Sequence, residues 1–243
     1  MKNYYGIKRK TTSSMYDNNF RLRFDEILTI MQDLATAHSY DMQVDHEKLL
    51  KSSNAFWVLS RAKFKINKHV KNNTVVYYKT WPLKPSGVRF TREFSFIQNK
   101  SVILSGRSEW CILDSNSYTL RRLDSVVYPN DLNYIKKFSD TPDFCKEKFS
   151  VSDEDYVYDY KIAFTDIDVN NHTNNVAYCR MALNCFSVEE FNNKDFSTFE
   201  IKFINQTFYG DEIKLYKKII DKNAYYIEGI TQNKKVFYSI ISK

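Results

Sequence analysis

The sequence predicts an α+β protein made of two tandem copies of one unit, each a long helix wrapped by an antiparallel sheet. Three observations carry the prediction. A helix-patterned run followed by four strand-patterned runs occurs twice, the strand runs are rich in aromatic and β-branched residues, and a charged, proline-bearing stretch separates the copies. The 243 residues are enough for one large or two small domains, and 18 Tyr and 18 Phe against 5 Gly and 4 Pro suit packed strands rather than disorder.

The first copy opens at residues 24–38, where Phe24, Ile27, Leu28, Met31, Leu34 and Ala35 follow the spacing of an amphipathic helix. Strands are predicted at 55–66, 74–81, 88–97 and 101–113, parted by polar turns such as Asn72-Asn73. Residues 121–150 are charged, carry Pro129 and Pro142 and lack sustained periodicity, so a connection is expected there, with a short helix near Tyr134–Phe138. The second copy places a helix near 174–187 and strands at 197–208, 212–220, 224–231 and 235–242. A sheet curled around one apolar helix is the hotdog unit, and two in one chain make a double hotdog. The expected division is 1–125 for the first unit, 126–150 for the linker and 151–243 for the second unit.

Several function classes are disfavoured at once. No glycine-rich phosphate loop is present, so no nucleotide cofactor is indicated. No run of about 18 apolar residues suggests a membrane span, and no apolar stretch follows the basic N-terminus as in a secretory signal. Cys111, Cys145, Cys179 and Cys185 form no Cys-x-x-Cys pair and have no His at metal-ligand spacing. Reduced thiols in a cytoplasmic protein, without bound metal, are expected. The net charge of +7 is spread along the chain instead of gathered in one arm, so no nucleic-acid partner is indicated. The charge suits either a merely soluble surface or docking of an acidic partner.

The stretch at 165–186 carries the chemistry. Asp168, Asn170 and His172 alternate just before the second helix, so an extended backbone would point all three the same way. A carboxylate, an amide and an imidazole beside a helix N-terminus can activate water and stabilise an oxyanion. Read singly, each has a plainer use: His172 as a cap or a partner of Asp168, Asn170 as a turn residue. Asn174 and Asn175 suit a helix start whose backbone N–H groups face the substrate. Asp17, Asn19 and Arg21 occupy the same places before the first helix, and an Arg does not serve as a base near neutral pH. The second copy is therefore expected to hold the chemistry. Trp57 and Met31, on a strand and on the helix of the first copy, are candidates for lining the substrate pocket. His38 reads as a cap or packing residue, and His46 and His69 as surface residues.

The segment Asp168-x-Asn170-x-His172-x-Asn174-Asn175-x-x-Tyr178 resembles the active-site segment of the acyl-ACP thioesterases. Distant matches accompany it: Gln32, Ala35 and His38 on the first helix, Trp57, Val58 and Arg61, then Thr80, Trp81 and Pro82, and finally Arg92, Ser108, Trp110 and Asp114. The resemblance implies a double hotdog that hydrolyses fatty acyl-ACP to free fatty acid and carrier, with the acidic carrier protein as partner and no cofactor. It also implies an essential Asp168, as water activator or as nucleophile. One position departs from the family: its strand Glu is Gln206 here, and the Cys that follows in plant-type members is Thr207. An amide can orient water or hold Asp168 but cannot take a proton, so either the family Glu acts by position or this enzyme is slower or differently specific, and a cysteine-nucleophile route is disfavoured. Acyl-CoA hydrolysis, a non-catalytic acyl-thioester-binding hotdog and a hotdog dehydratase or hydratase are the alternatives, and the chain is expected to be a monomer or homodimer.

Overall fold

The computed structural model describes residues 2–129 and 132–243 and resolves two compact units, one running to Thr141 and the other from Pro142. In the first unit β1 (Tyr5–Lys10) leads into α1 (Phe24–Asp41) and the short α2 (His46–Ser53). The strands β2 (Ala55–Ile66), β3 (Val75–Pro82), β4 (Phe90–Gln98), β5 (Ser101–Asp114) and the two-residue β6 (Leu120–Arg121) follow. All pairings are antiparallel, in the order β1-β3-β4-β5-β2, with β6 on β5. Ile27, Leu28, Met31 and Leu34 of α1 are buried, as are Phe64, Phe94 and Phe96 of the strands. Met31 lies so close to β5 that a Cβ on Gly106 would sit 3.0 Å from its terminal methyl, so any larger residue there would push the Met31 side chain aside.

The second unit repeats the plan with β7 (Tyr156–Lys161), α3 (Asn175–Leu183), α4 (Val188–Lys194), β8 (Thr198–Phe203), β9 (Glu212–Asp221), β10 (Ala224–Thr231) and β11 (Lys234–Ser242). Its antiparallel order, β7-β9-β10-β11-β8, is that of the first unit strand for strand. The double hotdog expected from the sequence is the observed architecture.

Five elements were not expected, the two-residue β6 among them. β1 and β7 are six-residue edge strands with mostly exposed sequences; β1 lacks the alternation of a half-buried strand, whereas β7 has it in Tyr156, Tyr158 and Tyr160, a signal the sequence reading passed over. The short helices α2 and α4 are set by caps: Asp45 accepts the N–H of Lys48 and Ser187 that of Glu190, while Asn54 and Asp195 end them in the left-handed region. The second helix is also shorter than expected, since α3 stops at Leu183 and Ser187 starts a new helix instead of prolonging it.

The helix expected at Tyr134–Phe138 is absent; that stretch has no regular secondary structure. Its backbone groups are taken by the sheet of the first unit: Trp81 Nε1 donates to Lys137 O (2.9 Å), and Ser139 N donates to the buried Glu93 carboxylate (3.0 Å), itself paired with Arg107 at 2.6 Å. The stretch 126–150 is shared out, because Cys145 N of the second unit donates to the Glu200 carboxylate (3.0 Å). Asn130 and Asp131, within the expected linker, lie outside the described residues.

Candidate active site

The segment bearing Asp168, Asn170 and His172 is a tight turn, not an extended run. Ile167 and Thr173 bridge antiparallel, Asp168 N donates to His172 O (2.8 Å), and Asn171 N donates to Asp168 O (3.1 Å) with Asn171 at φ 60°. The cause is the Asp168 carboxylate, whose Oδ1 accepts the N–H groups of Asn170 (2.8 Å) and His172 (3.3 Å) and folds the chain back on itself. The one-face alignment expected from alternation is thereby lost, and Asn170 and the 98% exposed Val169 sit at the loop tip.

The same loop is built a second time in the first unit. Tyr16 and Leu22 bridge, Asp17 N donates to Arg21 O (2.8 Å), Phe20 N donates to Asp17 O (3.1 Å), and Phe20 adopts φ 56°. Asp17 Oδ1 accepts from Asn19 N (2.9 Å) and Arg21 N (2.8 Å). Only the second carboxylate oxygen is treated differently. Asp17 Oδ2 holds Arg21 Nε at 3.1 Å, whereas Asp168 Oδ2 has no hydrogen-bond partner among the described residues. The half-buried imidazole of His172 lies edge to face with Phe208, centroids 5.4 Å apart, and likewise makes no hydrogen bond among the described residues.

A buried carboxylate that the sequence reading passed over anchors the loop. Asp166 Oδ2 accepts from Tyr160 OH (2.9 Å) and Ala163 N (3.0 Å), and its Oδ1 faces Arg180 of α3 at 3.5 Å. Its backbone O takes the N–H of Asn174 (2.7 Å), while the Asn174 side chain caps α3 by accepting Val176 N (2.8 Å). Neither of those two N–H groups is therefore open to an oxyanion. Asn175, the first residue of α3, is half-buried. The turn of one strand into the next brings Gln206 toward this loop, because Thr173 N donates to Thr207 O (2.9 Å), and each residue directly follows a candidate, His172 or Gln206. Gln206 itself is exposed.

Trp57 and Met31 belong to the first unit and to different parts of it. Trp57 is half-buried, donates from Nε1 to Val44 O (2.7 Å) and packs edge-on against Phe90 and Tyr128. Met31 is buried against Gly106. Among the cysteines, Cys185, just past the end of α3, is buried with its thiol pushed up to about 12 by that burial, and burial raises Cys111 as well, so neither suits a thiolate nucleophile. Thr207, at the plant-type cysteine position, is fully buried. His38 is a packing residue, fully buried between Lys2 O (3.2 Å) and the Arg92 guanidinium (2.9 Å). Burial first, and the Arg92 charge second, hold it down to about 4. Among the described residues no group of three His, Cys, Asp or Glu side chains could hold a metal ion, and no helix is long and apolar enough to cross a membrane.

The likeness to known proteins runs along the whole chain. The structure of an acyl-ACP thioesterase from Bacteroides thetaiotaomicron superposes with a TM-score of 0.88 at 21% identity, covering 99% of this chain and 97% of that one. The 12:0-ACP thioesterase from Umbellularia californica superposes with a TM-score of 0.86 at 13% identity, covering 100% and 97%. At these identities the two establish a common fold. No curated protein matches the chain in sequence. The sequence profile of the acyl-ACP thioesterase N-terminal domain matches residues 2–129 and that of the C-terminal domain residues 150–242, so the chain belongs to the acyl-ACP thioesterase family.

Proposed function

We propose that this family member hydrolyses fatty acyl-ACP to free fatty acid and carrier in the cytoplasm, within fatty acid biosynthesis, and that the second unit alone does the chemistry. The observation that carries the assignment is the duplicated loop. Both copies share the Asp cap, the Asn and the backbone hydrogen bonds, but only the second has an imidazole where the first has a guanidinium, and only there is one carboxylate oxygen left without a protein partner among the described residues. A guanidinium keeps its proton at all working pH values, whereas an imidazole exchanges one near neutrality. In this reading a proton passes through His172 from water to the departing sulfur. Asp168 Oδ2 either steers that water onto the thioester carbonyl as the C–S bond breaks, or attacks the carbonyl itself and expels the sulfur, leaving an acyl-enzyme anhydride that the water then hydrolyses. Gln206 orients the nucleophile by hydrogen bonds, and the carrier leaves as its thiol once that sulfur is protonated. Asn170 is assigned to the thioester oxygen, Asn174 and Asn175 to framing the mouth of the site, and Met31 and Trp57 to selecting the acyl chain.

The test is turnover of a panel of acyl-ACP chain lengths by the wild type and by His172→Ala. A drop of about 10² to 10⁴ in a folded variant is expected from loss of a positioned base, and near-normal hydrolysis would remove His172 from the mechanism. Gln206 favours a second reading, a non-catalytic acyl-thioester sensor, because it replaces an ionisable carboxylate with an amide. Turnover that depends on His172 excludes that reading. Comparing acyl-CoA with acyl-ACP of equal chain length separates the two thioester substrates.

A further inference from the structure

The two units share backbone geometry so closely that one serves as the control for the other. After β8, Ile204 N and Asn205 N both donate to Val236 O (2.8 and 3.1 Å). After β2, Asn67 N and Lys68 N both donate to Ile103 O (2.9 and 3.1 Å). Gln206 is thereby matched with His69, and Thr207 with Val70. The loop bridges match Thr173 with Leu22, and the first turns of the helices match Tyr178 with Ile27, each four residues after its N-cap. The side chains of the last three pairs, Thr207 and Val70, Thr173 and Leu22, and Tyr178 and Ile27, are buried.

Their chemistry differs completely. In the first unit Leu22, Ile27 and Val70 form an apolar cluster facing one small cavity. In the second, Tyr178 OH lies 2.8 Å from Thr207 Oγ1, which lies 2.8 Å from Thr173 Oγ1, and that hydroxyl donates to Thr207 O at 3.0 Å. Thr207 N closes the circuit by donating to Tyr178 OH at 3.1 Å. One direction of donation satisfies every group: Tyr178 to Thr207, Thr207 to Thr173, Thr173 to the Thr207 carbonyl, and the Thr207 amide back to Tyr178. Such a closed network is not required for this backbone to fold, since the aliphatic version stands in the same chain. A fully satisfied buried polar network instead fixes one geometry where an apolar contact tolerates sliding. The residues it fixes are the neighbours of the proposed reacting groups. His172 precedes Thr173, Gln206 precedes Thr207, and Phe208, against which the His172 ring rests, follows Thr207.

We propose that Thr173, Tyr178 and Thr207 are positioning residues of the second unit, a hydroxyl ring that sets Gln206 and Phe208 against His172. The role rests on the assignment of His172 and Gln206 to the chemistry. Replacing all three hydroxyls by apolar near-isosteres, in Thr173→Val/Tyr178→Phe/Thr207→Val, copies the character of the first unit's cluster. This variant is expected to melt as a folded protein and to keep KM for acyl-ACP within about twofold, while kcat falls by about 10- to 100-fold. Tyr178→Phe alone is the milder probe should the triple variant not fold, with the same split between kcat and KM. Thr207→Ser, which retains the hydroxyl, is expected to keep most of the rate, whereas Thr207→Val loses it. Wild-type kcat in the folded triple variant, or in Tyr178→Phe and Thr207→Val together, overturns the role, as does a loss confined to KM. His172→Ala in the same assay tells the two failures apart. If it is inactive while the hydroxyl variants are fully active, only the ring's role falls, whereas a fully active His172→Ala removes both the ring's role and the assignment beneath it.

Discussion

Replacing Asp168 and Asp17 in parallel separates what this aspartate does for the fold from what it does for the reaction. Each carboxylate ties down its loop through two backbone N–H groups on Oδ1, at 2.8 and 3.3 Å for Asp168 and at 2.9 and 2.8 Å for Asp17. Both loops are partly exposed, so truncation to Ala is expected to cost what loss of a capping side chain costs, about 1–2 kcal/mol. For a chain of this size that is a Tm decrease of roughly 2–8 °C. Asp17→Ala also loses the Arg21 contact at 3.1 Å, a partly exposed pair that adds less than about 1 kcal/mol. The two Ala variants should therefore melt alike yet differ in turnover. Thiol release from acyl-ACP by Asp17→Ala should stay near wild type, and that by Asp168→Ala should fall by about 10³. Asp168→Asn completes the design, because its amide oxygen still accepts the two N–H groups and should recover most of the lost Tm without recovering turnover. Wild-type turnover by Asp168→Asn would show that the charge is not needed. Equal inactivation of a well-folded Asp17→Ala would refute the division of labour between the units.

His38 makes stability depend on acid. Its folded value is about 4 against an ordinary 6.5, so between those limits the unfolded chain binds the extra proton, and stability present above pH 6.5 is lost as pH falls toward 4, by roughly 3 kcal/mol in all. Urea midpoints at pH 7 and 4.5 should therefore diverge more for the wild type than for His38→Gln, and equal divergence would dismiss His38 as the cause. If the net charge of +7 steers an acidic carrier, kcat/KM for acyl-ACP should fall with added salt while that for a small uncharged thioester does not; parallel salt curves would leave the charge a matter of solubility. Thiol-blocking reagents should spare most activity, since burial raises the Cys185 and Cys111 thiols, and full inactivation reproduced by a single Cys→Ser change would contradict this.

What the sequence by itself determined is what short-range pattern encodes. Helix spacing over residues 24–38 and alternating aromatic runs specify elements from neighbours within a few residues, and their repetition reveals the tandem architecture. The comparison of Asp17, Asn19 and Arg21 with Asp168, Asn170 and His172 is also local, which is why the unit proposed to hold the chemistry is legible from the order of residues alone. Tertiary structure decided whatever depends on partners far along the chain. β1 is a strand because β3 supplies its hydrogen bonds, not because its own charged sequence asks for it, and β7, whose alternating tyrosines span only six residues, is held in place by β9. The irregular course of residues 132–139 is held by Trp81 and Glu93, more than 40 positions away, which bond the Lys137 carbonyl and the Ser139 N–H. The shape of the Asp168 loop lies between these cases: its Asx turn is written in adjacent residues, but alternation suggested an extended strand until the carboxylate was seen to take two backbone amides. The ring of Thr173, Tyr178 and Thr207 lies wholly beyond sequence pattern. Its members are brought together only after the strand following the helix returns to the loop that precedes it, and no periodicity within either segment marks a hydroxyl for a partner 29 or 34 residues distant.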